Sequence, residues 1–373
     1  MIVCYFGTYR QNYSRNKNMI AALRLVGVEV KECHVPLWHG VEDRVAVTSG
    51  GWKKPAFWWR VIKTYWQLYW KYTHIGEYDI LIIGYPGQFD VFLAKMLANR
   101  KHKPFVWDVF MSIYLVALER QLDQVEDSSI NFIRKAEAKA LKKPDMLIQD
   151  TQPYVDWLCE TYQISPWKFR LVPTGADDRI FRPQPERSQK DSLFRVLYYG
   201  SYIPNHGVSV ILGAAELLLA HSDILFEMIG EGPDRPEAER FAQQKGLTNI
   251  QFQDWVLQDD LPSRIAQADV CLGAFGQTPQ SLMTVHNKVY EGMAMGKPVI
   301  TGQSPAIAAQ FRPGEELLAC PRSAQGLAES ILQLKEDPAL RARLGANALH
   351  AFQERYSLQS LGKLLLGYLH EFD

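Results

Sequence analysis

Short apolar runs alternate with longer stretches of helical period along this sequence. Met1–Phe6, Val28–Cys33, Asp79–Ile83, Pro104–Asp108, Asp145–Gln149 and Phe169–Val172 read as strands, and so do Leu193–Tyr199, Ile224–Ile229, Asn249–Gln253 and Ala268–Phe275. Most are apolar throughout rather than alternating, the mark of strands buried on both faces in a parallel sheet. Between them the pattern predicts helices ending at Leu25 and over 89–100, 128–143, Val208–Ala220, Pro338–Phe352 and 356–370. Strand and helix in alternation define an α/β protein with parallel sheets. The stretch 182–192, rich in Pro, Gln, Ser and charge, reads as a linker. It separates a first domain, 1–182, from a second, 193–353. No repeat or low-complexity segment appears.

One stretch, 285–302, carries the clearest local signal. Val289 and Met293, with Val285, fall at helical spacing, Gly296 suits a left-handed C-cap, and Val299-Ile300-Thr301 is a β-branched strand. Lys288 and Glu291 are three apart and share a helix face. In an arbitrary helix they would be a solvated ion pair. At the mouth of an αβ unit, where open parallel sheets bind ligands, they read as ligand contacts.

Other polar residues collect at strand ends. Gly7 closes the first strand, before the polar loop Thr8–Arg15. It either lets backbone N–H groups approach a phosphate or simply makes a turn. Arg10 and Arg15 would support an anion there or be solvated. Gly200-Ser201 and the loop to His206-Gly207 lead into the Val208 helix, which again brings glycines to a helix N-terminus. His206 is either a phosphate contact or a surface residue, and taken alone it reads as surface. Gly230-Glu-Gly232 ends the next strand. Asp108 and Ser112 lie just past the Pro104 strand, as functional groups or as cap and turn residues, and Asp150-Thr151 precedes a further helix as a cap.

Residues 51–73 stand out for five basic residues, no acidic ones and many aromatics. Arg60, Lys63, Thr64, Gln67 and Lys71 share one helical face; Trp58, Ile62, Tyr65 and Tyr69 share another. Such a helix either lies in an anionic membrane interface or packs its aromatic face on a sheet.

Composition narrows the classes. With 373 residues, 47% apolar and 22% charged, the chain has room for two ordinary globular cores. Formal net charge is zero, so no global field draws it to nucleic acid. The five cysteines are scattered without metal-ligand spacing and read as buried free thiols of a reducing compartment. No metal cluster is visible. The N-terminus begins directly on a strand, and no apolar run approaches a membrane span. The expectation is a cytoplasmic protein, or a peripheral one at the inner membrane face.

With Gly200-Ser201…His206-Gly207, Gly230-Glu-Gly232 and Lys288-Val-Tyr-Glu291-Gly-Met-Ala-Met-Gly-Lys-Pro in this order, the second half resembles a family 4 glycosyltransferase. The resemblance covers 193–353 well and extends more loosely through Gly7, the Gly27-Val-Glu-Val opening and Val172-Pro-Thr-Gly-Ala-Asp177…Phe181. It implies a GT-B fold: two Rossmann-like parallel-sheet domains facing across a cleft, the first for the acceptor and the second for a nucleotide-sugar. The C-terminal helix, 355–373, is expected to cross back onto the first domain. The implied donor set is Gly7, Gly200, Ser201, His206, Gly207, Gly230, Val256, Thr284, Val285, His286, Asn287, Lys288 and Glu291. Lys288 would neutralise the diphosphate, Glu291 would accept the ribose hydroxyls, and Asp108 is the catalytic candidate near the acceptor. No tightly bound cofactor or metal is implied, only a UDP- or GDP-sugar as substrate.

The implied activity is a hexosyltransferase of retaining type, acting on a glycan or lipid-linked acceptor in envelope or surface polysaccharide synthesis. Two positions depart from the pattern. Met283 stands where the family often has a Glu, eight residues before Glu291, so a side-chain contact to the sugar is lost, although backbone N–H groups of Thr284–Asn287 remain. His206 replaces a common Lys or Arg. Alternatives on the same fold are a nucleotide-sugar epimerase or hydrolase, or a non-catalytic nucleotide-sugar-binding partner. A dinucleotide oxidoreductase is disfavoured, because neither Gly7 nor Gly200 opens a full G-x-G-x-x-G.

Overall fold

The computed structural model describes residues 1–37, 54–119, 127–185 and 192–373, with the side chains of 127–129 excepted. The start of the aromatic run, 51–53, and most of the predicted linker lie outside the described residues. The chain divides into two compact units, Met1–Pro173 with Leu361–Asp373, and Thr174–Ser360.

The first unit runs β1 (Ile2–Gly7), α1 (Ser14–Leu25), β2 (Glu29–His34), α2 (Pro55–Thr73), β3 (Ile80–Ile83), α3 (Asp90–Lys101), β4 (Phe105–Asp108), α4 (Ile113–Glu119), α5 (Asp127–Leu141), β5 (Met146–Gln149), α6 (Gln152–Tyr162) and β6 (Phe169–Leu171). Its sheet is parallel, in the order β2-β1-β3-β4-β5-β6. Strands such as Ile80–Ile83 are buried at every position, as their uninterrupted apolar sequence requires. The Thr151 side chain caps α6 by accepting from the Tyr154 N–H. Residues from Leu361 onward belong to this unit; Gly362 sits against the Ala22 carbonyl, and Arg170 pairs with Glu371.

The second unit runs β7 (Phe194–Tyr199), α7 (Val208–Leu217), β8 (Ile224–Ile229), α8 (Arg235–Gln244), β9 (Ile250–Gln253), α9 (Leu261–Gln267), β10 (Val270–Leu272), α10 (Pro279–Met283), α11 (Asn287–Ala294), β11 (Val299–Gly302), α12 (Pro305–Gln310), β12 (Leu318–Cys320), α13 (Ala324–Glu336) and α14 (Pro338–Arg355); the last helix, α15 (Leu358–Leu369), begins in this unit and from Leu361 belongs to the first. Its sheet is again parallel, in the order β12-β11-β10-β7-β8-β9. Each sheet therefore starts at an interior strand and winds outward both ways, the doubly wound plan that gathers ligand sites at the carboxyl ends of the strands.

Several boundaries differ from the sequence expectation. Thr174–Arg182 counts with the second unit because Ala176 and Phe181 pack into its core beside Val289 and Met293. The Ala268–Phe275 strand shrinks to Val270–Leu272, since beyond Gly273 the chain turns away into the loop before α10. Val285 precedes α11 rather than lying on its face, because His286 is the extended N-cap; it still reaches the same core. The hydrophobic pattern leaves 303–337 unassigned, where the structure has α12, β12 and α13. Gly296 has φ +69, the left-handed closure expected of it.

The faces of α2 also differ. Thr64, Leu68 and Tyr72 are its buried stripe, so Thr64 leaves the basic face, while Trp58, Ile62 and Tyr69 are exposed. The short Thr64 side chain is on the buried side, and the four tryptophans of the helix stand outside it.

Candidate functional site

The site is assembled at the carboxyl ends of β7 and β8 and at the start of α11. β7 ends in Tyr198-Tyr199-Gly200, and Gly200 has φ +135. A Cβ there would stand 3.0 Å from Lys288 Nζ, so only glycine leaves the ammonium its place and adopts this backbone. Gly230, also at φ +135, passes so close that a Cβ would overlap the Gly200 carbonyl oxygen. The two glycines let the ends of neighbouring strands close up under the Lys288 side chain.

Lys288 stands in the first turn of α11 and is buried. Its Nζ lies 4.3 Å from the centroid of the Tyr198 ring and 3.3 Å from His206 Nδ1. Among the described residues, no carboxylate comes within ion-pair distance of it. Burial, only partly offset by the field of Glu291, pushes its pKa down to about 7. Glu291, one turn on and also buried, rises to about 7, chiefly from burial, against a hydrogen bond from Tyr199 and the field of Lys288. The Tyr199 hydroxyl also reaches the Lys288 carbonyl at 3.3 Å. The pair is therefore neither solvated nor a salt bridge. It is a buried cation and a buried acid, each poised near neutrality.

His206 closes one side. Its Nδ1 lies 2.6 Å from the Ser201 carbonyl oxygen, which also accepts from the Tyr198 hydroxyl at 2.7 Å. That carbonyl fixes the ring proton on Nδ1 and leaves Nε2 as an acceptor. Burial, then Lys288 and His286, hold the His206 pKa well below its usual value, so the neutral ring contacts an anion only after taking a proton. The His286 ring packs edge-on at 5.0 Å and its pKa is pushed down to about 3, by burial first and then by Lys288 and Arg322. An anion entering here would meet the first turn of α11, where backbone N–H groups and helix dipole favour negative charge.

The predicted residues divide accordingly. Gly200, Ser201, His206, Gly230, His286, Lys288 and Glu291 come together. Gly207, at φ +65, is the N-cap of α7 and packs on the Phe275–Gly276 backbone. Asn287 opens α11. Thr284 is buried and donates its hydroxyl to the Gln280 carbonyl, Val285 is core, and Val256 packs half-buried on the cluster that holds Tyr199. Tyr198 and Tyr199, which floor the site, are missed by sequence reasoning. Aromatics inside a strand signal only burial; their place just before Gly200 was the available clue.

Gly7 and Asp108 belong to the first unit and take other roles. The Thr8 N–H donates to Asp90 Oδ2 at 2.7 Å, and a Cβ at Gly7 would meet that oxygen at 2.5 Å. A carboxylate thus occupies the place where a phosphate was expected, and Gly7 is a turn glycine. Asp108 is fully buried, and its two oxygens accept from Arg15 Nε and Nη2, both at 2.9 Å. Arg15 Nη1 also donates to the Val172 carbonyl at 2.6 Å. Asp108 and Arg15 are a buried strut between β4 and α1; neither is presented to a substrate or a free anion. Ser112 hydrogen-bonds Glu137 at 2.6 Å within the buried network that holds α4.

Residues 194–337 match the protein-family model described as glycosyl transferases group 1. The chain is 27% identical over 189 residues to an alpha-D-kanosaminyltransferase of Streptomyces kanamyceticus, covering 50% of this chain and 48% of that protein. It is 25% identical over 234 residues to an MMP alpha-(1->4)-mannosyltransferase of Mycolicibacterium hassiacum, covering 62% and 54%. The chain thus spans about half the length of the curated relatives it matches. Among solved structures it resembles sucrose-phosphate synthase from Thermosynechococcus elongatus, with TM-score 0.75, 17% identity and coverage of 100% of this chain and 98% of that one. Anabaena HepE, solved in complex with UDP, gives TM-score 0.71 at 13% identity and covers 99% of each chain. At these identities the likeness shows the fold: two Rossmann-like parallel-sheet units of the GT-B class.

Proposed function

We propose that this chain is a glycosyltransferase that moves a hexose from a UDP- or GDP-sugar to a glycan or lipid-linked acceptor in envelope or surface polysaccharide assembly. One observation carries the reading. Lys288 is a cation buried without a carboxylate partner at the start of a helix, beside Glu291, and a buried charge of that kind calls for an anionic ligand. The family match over 194–337 supports it, as do relatives named for sugar transfer, including a lipopolysaccharide core glycosyltransferase of Rhizobium meliloti. A neighbour solved with UDP-glucose supports a nucleotide-sugar donor.

In this reading the donor diphosphate lies against Lys288 and the α11 N–H groups, and Glu291 accepts the ribose hydroxyls. As the bond from the anomeric carbon to the diphosphate oxygen breaks, Lys288 stabilises the charge that builds on the leaving group. The acceptor oxygen bonds to the anomeric carbon on the face just vacated, giving retention, and its proton passes to the leaving diphosphate. No metal step is needed by this scheme, and the site of action is the cytoplasm or its membrane face.

The test is donor-dependent release of nucleoside diphosphate. Lys288→Met should lower turnover by about 100-fold or more, the range for losing one preorganised charge contact. Its thermal midpoint should stay equal or rise, because an unpaired buried charge is removed. Unchanged turnover in this variant would sink the assignment.

A further inference from the structure

The outward face of α2 inverts the usual order of an amphipathic helix. Thr64, Leu68 and Tyr72 point inward; on the opposite side stand Trp59, Ile62, Trp66 and Trp70, exposed by 70%, 60%, 62% and 54%. At 3.6 residues per turn these fall on one stripe, widened by Trp58 and Tyr69. Arg60, Lys63 and Lys71 run along one border of that stripe. α3 runs along the other: Tyr65 donates to Asp90 Oδ1 at 2.8 Å and Tyr72 to the Leu97 carbonyl at 3.4 Å. The spacing of these contacts, seven residues on each helix, sets the two helices side by side and parallel. α3 brings its own exposed apolar residues, Phe92 and Met96, with Phe89 just before it. Its cations are Lys95, Arg100 and Lys101. The one acid on either helix, Asp90, is buried and committed to Thr8 and Tyr65.

We propose that the outward faces of α2 and α3 together form a docking surface for an anionic lipid bilayer. Indole and phenol rings prefer the headgroup boundary, where an apolar body and a polar edge are both accommodated. A flanking row of cations with no exposed acid on either helix matches the negative surface of such a bilayer. The surface is tied to the loop at the carboxyl edge of the first sheet, because Asp90 holds both the Tyr65 hydroxyl and the Thr8 N–H. Docking would therefore bring that loop to the membrane. The inference stands apart from the donor site and survives or fails without it.

The test is co-sedimentation of the full chain with vesicles of phosphatidylcholine alone or with 30% phosphatidylglycerol as probe. Wild type should pellet with the anionic vesicles and be released by high salt. Trp59→Ser/Trp66→Ser/Trp70→Ser should lose about tenfold or more in partitioning. Lys63→Glu/Arg100→Glu should lose the preference for phosphatidylglycerol. Trp167→Ser, at an exposed tryptophan elsewhere, should behave as wild type. All these positions are exposed, so each variant should keep the wild-type melting curve. Failure of wild type to pellet, equal loss in the Trp167 variant, or a concentration-dependent dimer abolished by the triple variant in place of vesicle binding would overturn the proposal.

Discussion

In the proposed mechanism two residues three apart carry most of the chemistry. Lys288 and Glu291 are both buried and both sit near pKa 7 for one reason acting in opposite directions: burial pushes the ammonium down and the carboxyl up. A bound diphosphate favours the charged ammonium, so its pKa rises on binding. At pH 8 most free Lys288 has lost its proton, Glu291 is largely ionised already, and binding must take up a proton. Uptake approaching one proton per nucleoside diphosphate is expected at pH 8, with affinity falling up to about tenfold per pH unit above neutrality. Calorimetry in buffers of different ionisation enthalpy measures it; zero uptake at pH 8 would contradict the role of Lys288. The spacing of the pair was legible in the sequence, since three residues on a helix fix a shared face. Its burial was not, because burial depends on Tyr198 and Tyr199 arriving from a strand about ninety positions away, as tertiary packing decides.

At the scale of elements, strands were the most readable feature, because runs such as Ile80–Ile83 are apolar on both faces and admit few other structures. Short helices such as α12 and α13 were not, since their few turns carry weak periodicity and owe their form to packing. The pairing of Asp108 was hidden for a related reason. A carboxylate at a strand end invites a functional role, and only the fold shows that Arg15, on α1, fills both its oxygens. That strut predicts a stability effect. Asp108→Ala should destabilise the protein by about 3–5 kcal/mol, because a buried guanidinium loses its partner, and Arg15→Met/Asp108→Leu should recover most of it. Urea denaturation checks this. A variant of full stability and no turnover would instead return Asp108 to a chemical role.

For the whole molecule, the doubly wound plan of each unit was legible from strand and helix order. The second unit presents its glycine-bearing strand ends and α11 where such sheets bind ligands. The first unit has the same plan, yet its β1 loop is closed by Asp90, so similar architecture leaves the proposed anion site to the second unit. The region around α2 was half legible: composition flagged it, but which face turned outward depended on how Thr64, Leu68 and Tyr72 seated on the sheet.

A nucleotide-sugar site built on Lys288 and Glu291 can be read by thermal shift with no acceptor present. The panel is UDP-, GDP-, ADP- and CMP-sugars with NAD(P), on wild type and Glu291→Ala. A ligand at 100 times its Kd adds about 2.7 kcal/mol to the native state, a readily measured rise. The account predicts a rise with a UDP- or GDP-sugar that the variant loses. A rise with NAD(P) alone, or one that Glu291→Ala leaves intact, would contradict it.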